Sequence, residues 1–260
     1  MTLVRLMNRI ASRLVLVCLG VLLVLGGFGL ARLAESPCGP LSRTPCVRVL
    51  FLGNSYTYVN DLPAVFRDLA RAGGRNVETG MAANGGETLA QHAASPDSLG
   101  AIRGSRWQFV VLQEQSEIPA LAAAWQTEMF PATETLVASI RSAGATPILL
   151  ETWAHRDGLP DQGLDDAAMQ AAITQGYRSL GAALGVAVAP AGEAWQTVLR
   201  ANPTIALWQA DGSHPSPAGT YLAACVLYAR IFDASPVGIA DTGGLSPDVA
   251  QALQVAAEQP

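Results

Sequence analysis

At 260 residues, half of them apolar, the chain is long enough for one well-packed α/β domain plus a short extra segment, and barely long enough for two. The formal charge of −5 conceals an asymmetry: Arg5, Arg9, Arg13 and Arg32 precede the first acidic residue, Glu35, so the part beyond residue 34 holds 12 Arg against 21 Asp and Glu, a net −9 that speaks against nucleic acid and anionic lipid as partners. Lysine is absent, which excludes Walker-type phosphate binding and Schiff-base catalysis. His92, His155 and His214 lie far apart in the chain and no two Cys show zinc-ligand spacing, so neither a metal nor a cofactor is expected.

In chain order, the first element is an uncharged apolar run from Leu14 to Ala31, flanked by Arg on both sides. Its length lies between a signal-peptide core and a spanning helix, since a bilayer needs roughly 20 residues. Residues 1–34 therefore read as a signal peptide or an N-terminal membrane anchor, with the uncleaved anchor preferred because Arg32 sits badly in a small-x-small cleavage site. Basic residues on the amino side keep that end in the cytoplasm, which puts the rest of the chain on the extracytoplasmic side, anchored or secreted. Cys18 lies inside the run without a lipoprotein-like neighbourhood. Residues 35–46 read as a linker in which Cys38 and Cys46 flank a Pro-containing loop and can form a disulfide in an oxidising compartment.

Val47 to Leu52, ending at Gly53, reads as a buried parallel strand. A helix from Asp61 to Ala72 follows, with Leu62, Val65, Phe66 and Leu69 on one face and Gly73-Gly74 stopping it. Further strands are expected at Asn76–Thr79, Gln108–Leu112, Pro147–Leu150 and Val186–Ala189, with helices near Trp125–Ser142 and Asp165–Leu184. The last helix of the domain starts after Pro215, with Ser216 as cap and Pro217 in the first turn, and runs to about Phe232. This alternation predicts one α/β domain over residues 47–235, with function gathered at the carboxyl ends of the strands. Residues 236–260, rich in Ala, Gly and Pro, read as a tail that includes a helix from Pro247 to Ala257.

Two fragments carry chemistry. Ser55 follows Gly53-Asn54 at the first strand end, and Asp211-Gly-Ser-His214-Pro stands just before the last helix. A carboxylate and an imidazole three residues apart on one loop can share a hydrogen bond, and the imidazole can then take a serine proton. Each fragment alone more often shapes a turn or caps a helix. Their combination, serine after the first strand and Asp-x-x-His before the last helix, points to acyl-transfer chemistry.

Gly53-Asn54-Ser55 is similar to the Gly-Asp-Ser block of the SGNH (GDSL-like) hydrolases, and Asp211-Gly-Ser-His214-Pro matches their terminal Asp-x-x-His block. The resemblance covers about residues 47–232. It implies a three-layer α/β/α fold with a central parallel five-stranded sheet of flavodoxin-like type. It also implies catalytic roles for Ser55, Asp211 and His214, and an oxyanion hole made of the serine amide, a Gly amide after the second strand and an Asn side chain after the third. Asn84-Gly85-Gly86-Glu87-Thr88 looks like the second block, with Gly86 as the better match and Gly85 as the alternative. The third block departs from Gly-x-Asn-Asp: this chain has Leu112-Gln113-Glu114-Gln115-Ser116. A Gln amide donates the same hydrogen bond from one methylene further out. Spacing aligns Gln115 with the family Asn, whereas Gln113 resembles the strand-end Gln of carbohydrate acetylesterases on this fold; either Gln could instead satisfy loop backbone.

Asn54, Gly85, His155 and Trp208 complete the candidate site as substrate contacts: His155 follows the fourth strand and Trp208 lies three residues before Asp211. His92 is expected on a helix, solvated or packed. The reading that follows is an exported serine esterase acting on a small acyl ester, such as an O-acetyl group on a glycan. An acyltransferase on the same residues, or a catalytically idle domain that binds envelope polymers, are the alternatives.

Overall fold

The computed structural model describes Cys38 and residues 45–258. The apolar run, Cys18 and most of the expected linker lie outside the described residues; Cys38 and Cys46 are joined by a disulfide. Among the described residues no helix is long and apolar enough to cross a membrane.

Five strands, β1 (Cys46–Gly53), β2 (Asn76–Ala83), β3 (Phe109–Leu112), β4 (Thr146–Leu150) and β5 (Ala187–Ala189), form one parallel sheet in the order β2-β1-β3-β4-β5. The register pairs Leu52 with Leu112 and Leu112 with Leu149, so the strands end together on one edge. Nine helices are used below: α1 (Ser55–Tyr58), α2 (Leu62–Ala72), α3 (Leu89–Ala94), α4 (Pro96–Arg103), α5 (Phe130–Ser142), α6 (Asp166–Leu184), α7 (Ala191–Ala201), α8 (Pro217–Phe232) and α9 (Pro247–Glu258).

Side chains alternate across a strand, and the sheet therefore builds two cores. Val49, Phe51, Val111, Ile148 and Leu150 point to the face covered by α2, α7, α8 and α9. Leu50, Leu52, Val110, Leu112 and Leu149 point to the face covered by α3, α4, α5 and α6. A sheet buried on both faces explains why the strands read as continuous apolar runs.

Local signals in the sequence are realised at the helix starts. Asp61, Asp165 and Ser216 accept from the amides of Ala64, Ala168 and Gly219, and Pro217 occupies the first turn of α8. Three differences stand out. The stretch Trp125–Met129, expected as the start of an α-helix, is wound as a π-turn before α5. Helices α4 and α7 were not anticipated; α7 follows β5 directly and its start has no side-chain cap, which removes the usual signal. Residues 236–260 are more than a tail, because α9 buries Ala250, Leu253 and Ala257 in the first core and Gln254 bonds to the Tyr221 hydroxyl and the Ile239 carbonyl.

Helix α8 comes close to its neighbours at Gly219, where a methyl group would run into the Leu207 carbonyl and the Trp195 ring. Ala normally stabilises a helix relative to Gly. Here overpacking reverses the sign: Gly219→Ala is expected to lower stability by about 1–3 kcal/mol in urea denaturation.

Candidate active site

The strand order reverses between β1 and β3, and a crevice opens there because the connections leave to opposite faces of the sheet. A cavity of about 440 Å³ lies at these carboxyl ends, and Ser55, Gly86, Gln115, His155 and His214 are among its lining. A larger cavity of about 650 Å³, beside Arg103 and Trp107, lies before β3 and β4 at the opposite strand ends and holds neither Ser55 nor a histidine.

Ser55 is the first residue of α1, so its amide has no acceptor within the helix and remains available. Its Oγ lies 2.9 Å from His214 Nε2, and His214 Nδ1 lies 2.6 Å from Asp211 Oδ2. A proton on Nδ1, held by the carboxylate, leaves Nε2 as the acceptor of the serine hydroxyl. The amides of Ser213 and His214 both donate to Asp211 Oδ1, at 2.9 and 3.0 Å. The Ser213 amide first, and then the His214 contacts, hold the Asp211 carboxyl below the usual carboxylate range. The expected trio is thus assembled across 159 residues of sequence.

The loop bearing Asp211 and His214 is fixed from several sides. Its turn needs the positive φ of Gly212 (73°), and the Gly212 carbonyl accepts from the Arg156 amide at 2.8 Å. Tyr56, next to the serine, places its hydroxyl 2.6 Å from Ser213 Oγ and its ring edge-on to the His214 imidazole. Burial pushes the Tyr56 phenol up to about 12, so it stays neutral. Its ring stacks on Trp153, which donates to the Ser213 carbonyl and stacks in turn on Trp195.

Gln113 and Gln115 have separate surroundings. Gln113 is 1 % exposed. Its Oε1 accepts from the Asn54 amide and the Thr57 hydroxyl, while Nε2 donates to Asn54 Oδ1 and the Glu114 carbonyl. Both amide hydrogens are committed, which corrects the expectation that Gln113 serves an oxyanion; it holds the turn before the serine instead. Gln115 Oε1 accepts from the amides of Glu117 and Ile118, while its Nε2 has only a long 3.4 Å contact to Ser116 Oγ and sits on the cavity wall. Asn54, which lines the cavity, also forms the turn: Oδ1 caps α1 through the Tyr56 amide and accepts from Gln113 Nε2, and Nδ2 donates to the Glu87 carbonyl.

Gly85 and Gly86 line the cavity, and the φ of 67° at Gly86 explains a glycine there. Their turn is closed by Glu87 Oε2, which accepts from the Asn84 amide and side chain. His155 lines the cavity, with Nε2 3.0 Å from Ser116 Oγ, and burial holds its ring below the ordinary imidazole range. Trp208 does not line the cavity. It packs edge-on to Trp195 and donates to the Ala154 carbonyl, and the bulk of that indole behind the loop corrects the expected substrate contact.

Several supporting residues were not read from the sequence. His92 is fully buried, with Nε2 2.8 Å from the Gly53 carbonyl and Nδ1 2.8 Å from Ser98 Oγ, which anchors the strand end before Ser55. The signal for it was the spacing of three from Leu89, which places both on the inner side of α3. Glu114 Oε1 accepts from the amides of Leu89 and Gln115, tying the segment after the Gly-Gly turn to the third block. Glu151 accepts from Thr174 and Gln170, and Gln170 accepts from the Ala154 amide next to His155. Among the described residues no group of His, Cys, Asp and Glu is arranged to hold a metal.

No protein-family model and no curated protein matches the chain. Solved structures do. A protein of Slackia heliotrinireducens assigned to the SGNH hydrolases is 31 % identical, with a TM-score of 0.62, covering 72 % of this chain and 100 % of its own. A DUF4886 family protein of Bacteroides uniformis is 19 % identical with a TM-score of 0.72, covering 82 % and 94 %. An acetyl xylan esterase is 13 % identical with a TM-score of 0.57, covering 70 % and 98 %.

Burial pushes the carboxyls of Glu114 and Glu151 up from about 4.5 to about 7 and about 8. Above pH 4.5 the unfolded chain releases protons that these two acids retain in the folded protein, so their contribution to stability is full below about pH 4.5 and is lost as pH rises to about 8. Thermal midpoints measured from pH 5 to 8 should fall by several degrees, and a Glu114→Gln, Glu151→Gln double variant should flatten that slope.

Proposed function

The chain belongs to the SGNH hydrolases, and on that premise we propose that it is an exported serine esterase with Ser55 as nucleophile, releasing a small acyl group such as acetyl from a hydroxylated glycan. The observation that carries the reading is the continuous hydrogen-bonded chain from Ser55 through His214 to Asp211, at 2.9 and 2.6 Å, opening on a cavity.

Ser55 Oγ attacks the ester carbonyl while His214 Nε2 takes its proton, and Asp211 stabilises the imidazolium that forms. The tetrahedral oxygen is met by the amides of Ser55 and Gly86 and by Gln115 Nε2. Donors held in advance at that point lower the barrier by stabilising charge as it develops. His214 then returns the proton to the departing alcohol, and water repeats the sequence to free the acid and Ser55.

The size of the cavity, about 440 Å³, supports a short acyl group. Its polar lining and the existence of an acetyl xylan esterase on the same fold support a sugar hydroxyl as the alcohol. Export is supported by the Arg-flanked apolar run before residue 32 and by the Cys38–Cys46 disulfide, a bond that persists in oxidising compartments.

A serine-reactive fluorophosphonate should add once to the protein, as read by intact mass, and should not add to Ser55→Ala or His214→Ala. Hydrolysis of 4-nitrophenyl acetate should fall about 10³-fold or more in either variant. An unlabelled wild type, with saturable binding to envelope polymer, would overturn the esterase reading in favour of a binding domain.

A further inference from the structure

The cavity that holds Ser55 also presents a carboxylate that no Arg among the described residues pairs with. Glu117 follows the third block and lines the cavity in a half-buried position. Its amide is taken up by Gln115 Oε1, whereas its carboxylate makes no hydrogen bond or ion pair among the described residues. Neither Arg nor Lys lines the cavity, and the chain has no Lys at all. The guanidinium of Arg156, the residue after His155, lies over the Trp208 ring and donates to the Gln209 carbonyl, so it is committed elsewhere. Glu117 acts electrostatically on both Tyr56 and His155, adding a small upward push to the burial effect at Tyr56 and opposing the larger downward effect of burial at His155, which places its field inside the site. Asp211, whose carboxylate acts on the same two groups, is bonded to His214 and its own loop.

From this arrangement we infer that Glu117 is a specificity-determining residue that receives hydrogen-bond donors of the departing alcohol, so that the substrate is a hydroxyl-rich or amine-bearing ester and anionic esters are rejected. The inference rests on the serine esterase reading and narrows its substrate class. The physical basis is that a carboxylate in a partly dehydrated cavity attracts a hydroxyl or ammonium donor and repels a second anion, with less screening than at the open surface. The net charge of −9 beyond residue 34 adds a long-range component of the same sign. His155 and Ser116, bonded to each other at 3.0 Å on the same wall, offer further polar contacts for sugar hydroxyls.

The test uses three aryl acetates that differ in one ring substituent: 4-acetoxybenzoate, 4-acetoxybenzamide and 4-acetoxyphenyl-trimethylammonium. For each, kcat/KM is measured in wild type and in Glu117→Gln, because the ratio within one substrate cancels the intrinsic reactivity of that ester. Removing the charge should raise kcat/KM for the anionic ester and lower it for the cationic one, each by about five-fold, and the contrast should shrink with added salt. Opposite changes in a single variant cannot come from misfolding, which lowers both. Labelling of Ser55 together with equal changes, or no change, across the three esters would overturn the charge selection and leave the esterase standing. Absence of both labelling and turnover would overturn both readings.

Discussion

Gln113 fills the space beneath the turn where β1 gives way to α1 and makes four hydrogen bonds there, to the Asn54 amide and side chain, the Thr57 hydroxyl and the Glu114 carbonyl. The position of Ser55 follows from this one buried amide. A strand that ends at a crevice leaves backbone groups without ladder partners, and burying them unpaired would cost more than the bonds contribute when made. A side chain with two donors and two acceptors satisfies the turn from inside, while His92 satisfies the Gly53 carbonyl from the other side. A Cβ at Gly53 would meet both Thr57 and Gln113, so glycine is required where the side chains converge.

The other two segments of the site are tied to this turn by polar contacts of the same kind. Asn54 reaches the Glu87 carbonyl on the Gly-Gly loop, Glu114 bridges Leu89 and Gln115, and Tyr56 reaches Ser213 on the Asp-His loop. Loops on a surface are ordinarily mobile. Here each of these loops is also bonded to the one that carries Ser55, so the geometry of Ser55, Gly86, Gln115 and His214 is set in common. The cost is two buried acids, Glu114 and Glu151, each with one carboxyl oxygen lacking a protein partner. Burial favours their neutral forms, and a proton on the unpartnered oxygen lets the remaining oxygen accept the loop amides and hydroxyls that need it.

Behind the site, Tyr56, Trp153, Trp195 and Trp208 form a continuous aromatic wall of stacked and edge-on rings. Three of these four rings join apolar packing to a hydrogen bond aimed at the Asp211–His214 loop or the segment beside it: Tyr56 to the Ser213 hydroxyl, Trp153 to the Ser213 carbonyl and Trp208 to the Ala154 carbonyl. The tryptophan that precedes Asp211 is thereby part of the support for the loop and no part of the cavity surface. Ser116, Glu117 and His155 put polar side chains on the cavity wall beside Tyr56 and Tyr58.

Much of this was legible in the sequence because it depends on short-range rules. Apolar runs of strand length separated by helix-period segments specify a sheet buried on both faces, and Asp61, Asp165 and Ser216 mark helix starts through bonds to amides three residues on. The spacing of Asp211 and His214 is itself a local constraint, since three residues of one turn are enough to bring carboxylate and imidazole together. The duty of Gln113, the reach of Asn54 to Glu87, the anchoring by His92 and Tyr56 and the retreat of Trp208 were not legible, because each is decided by a partner between 33 and 157 positions away or by packing against another element. Two glutamines separated by one residue are equivalent as amino acids. The sequence by itself determined the architecture and brought out Ser55, Asp211 and His214 as one group, whereas the tertiary structure alone decided which polar side chains face the cavity, since that depends on which of their hydrogen bonds the surrounding backbone has already claimed.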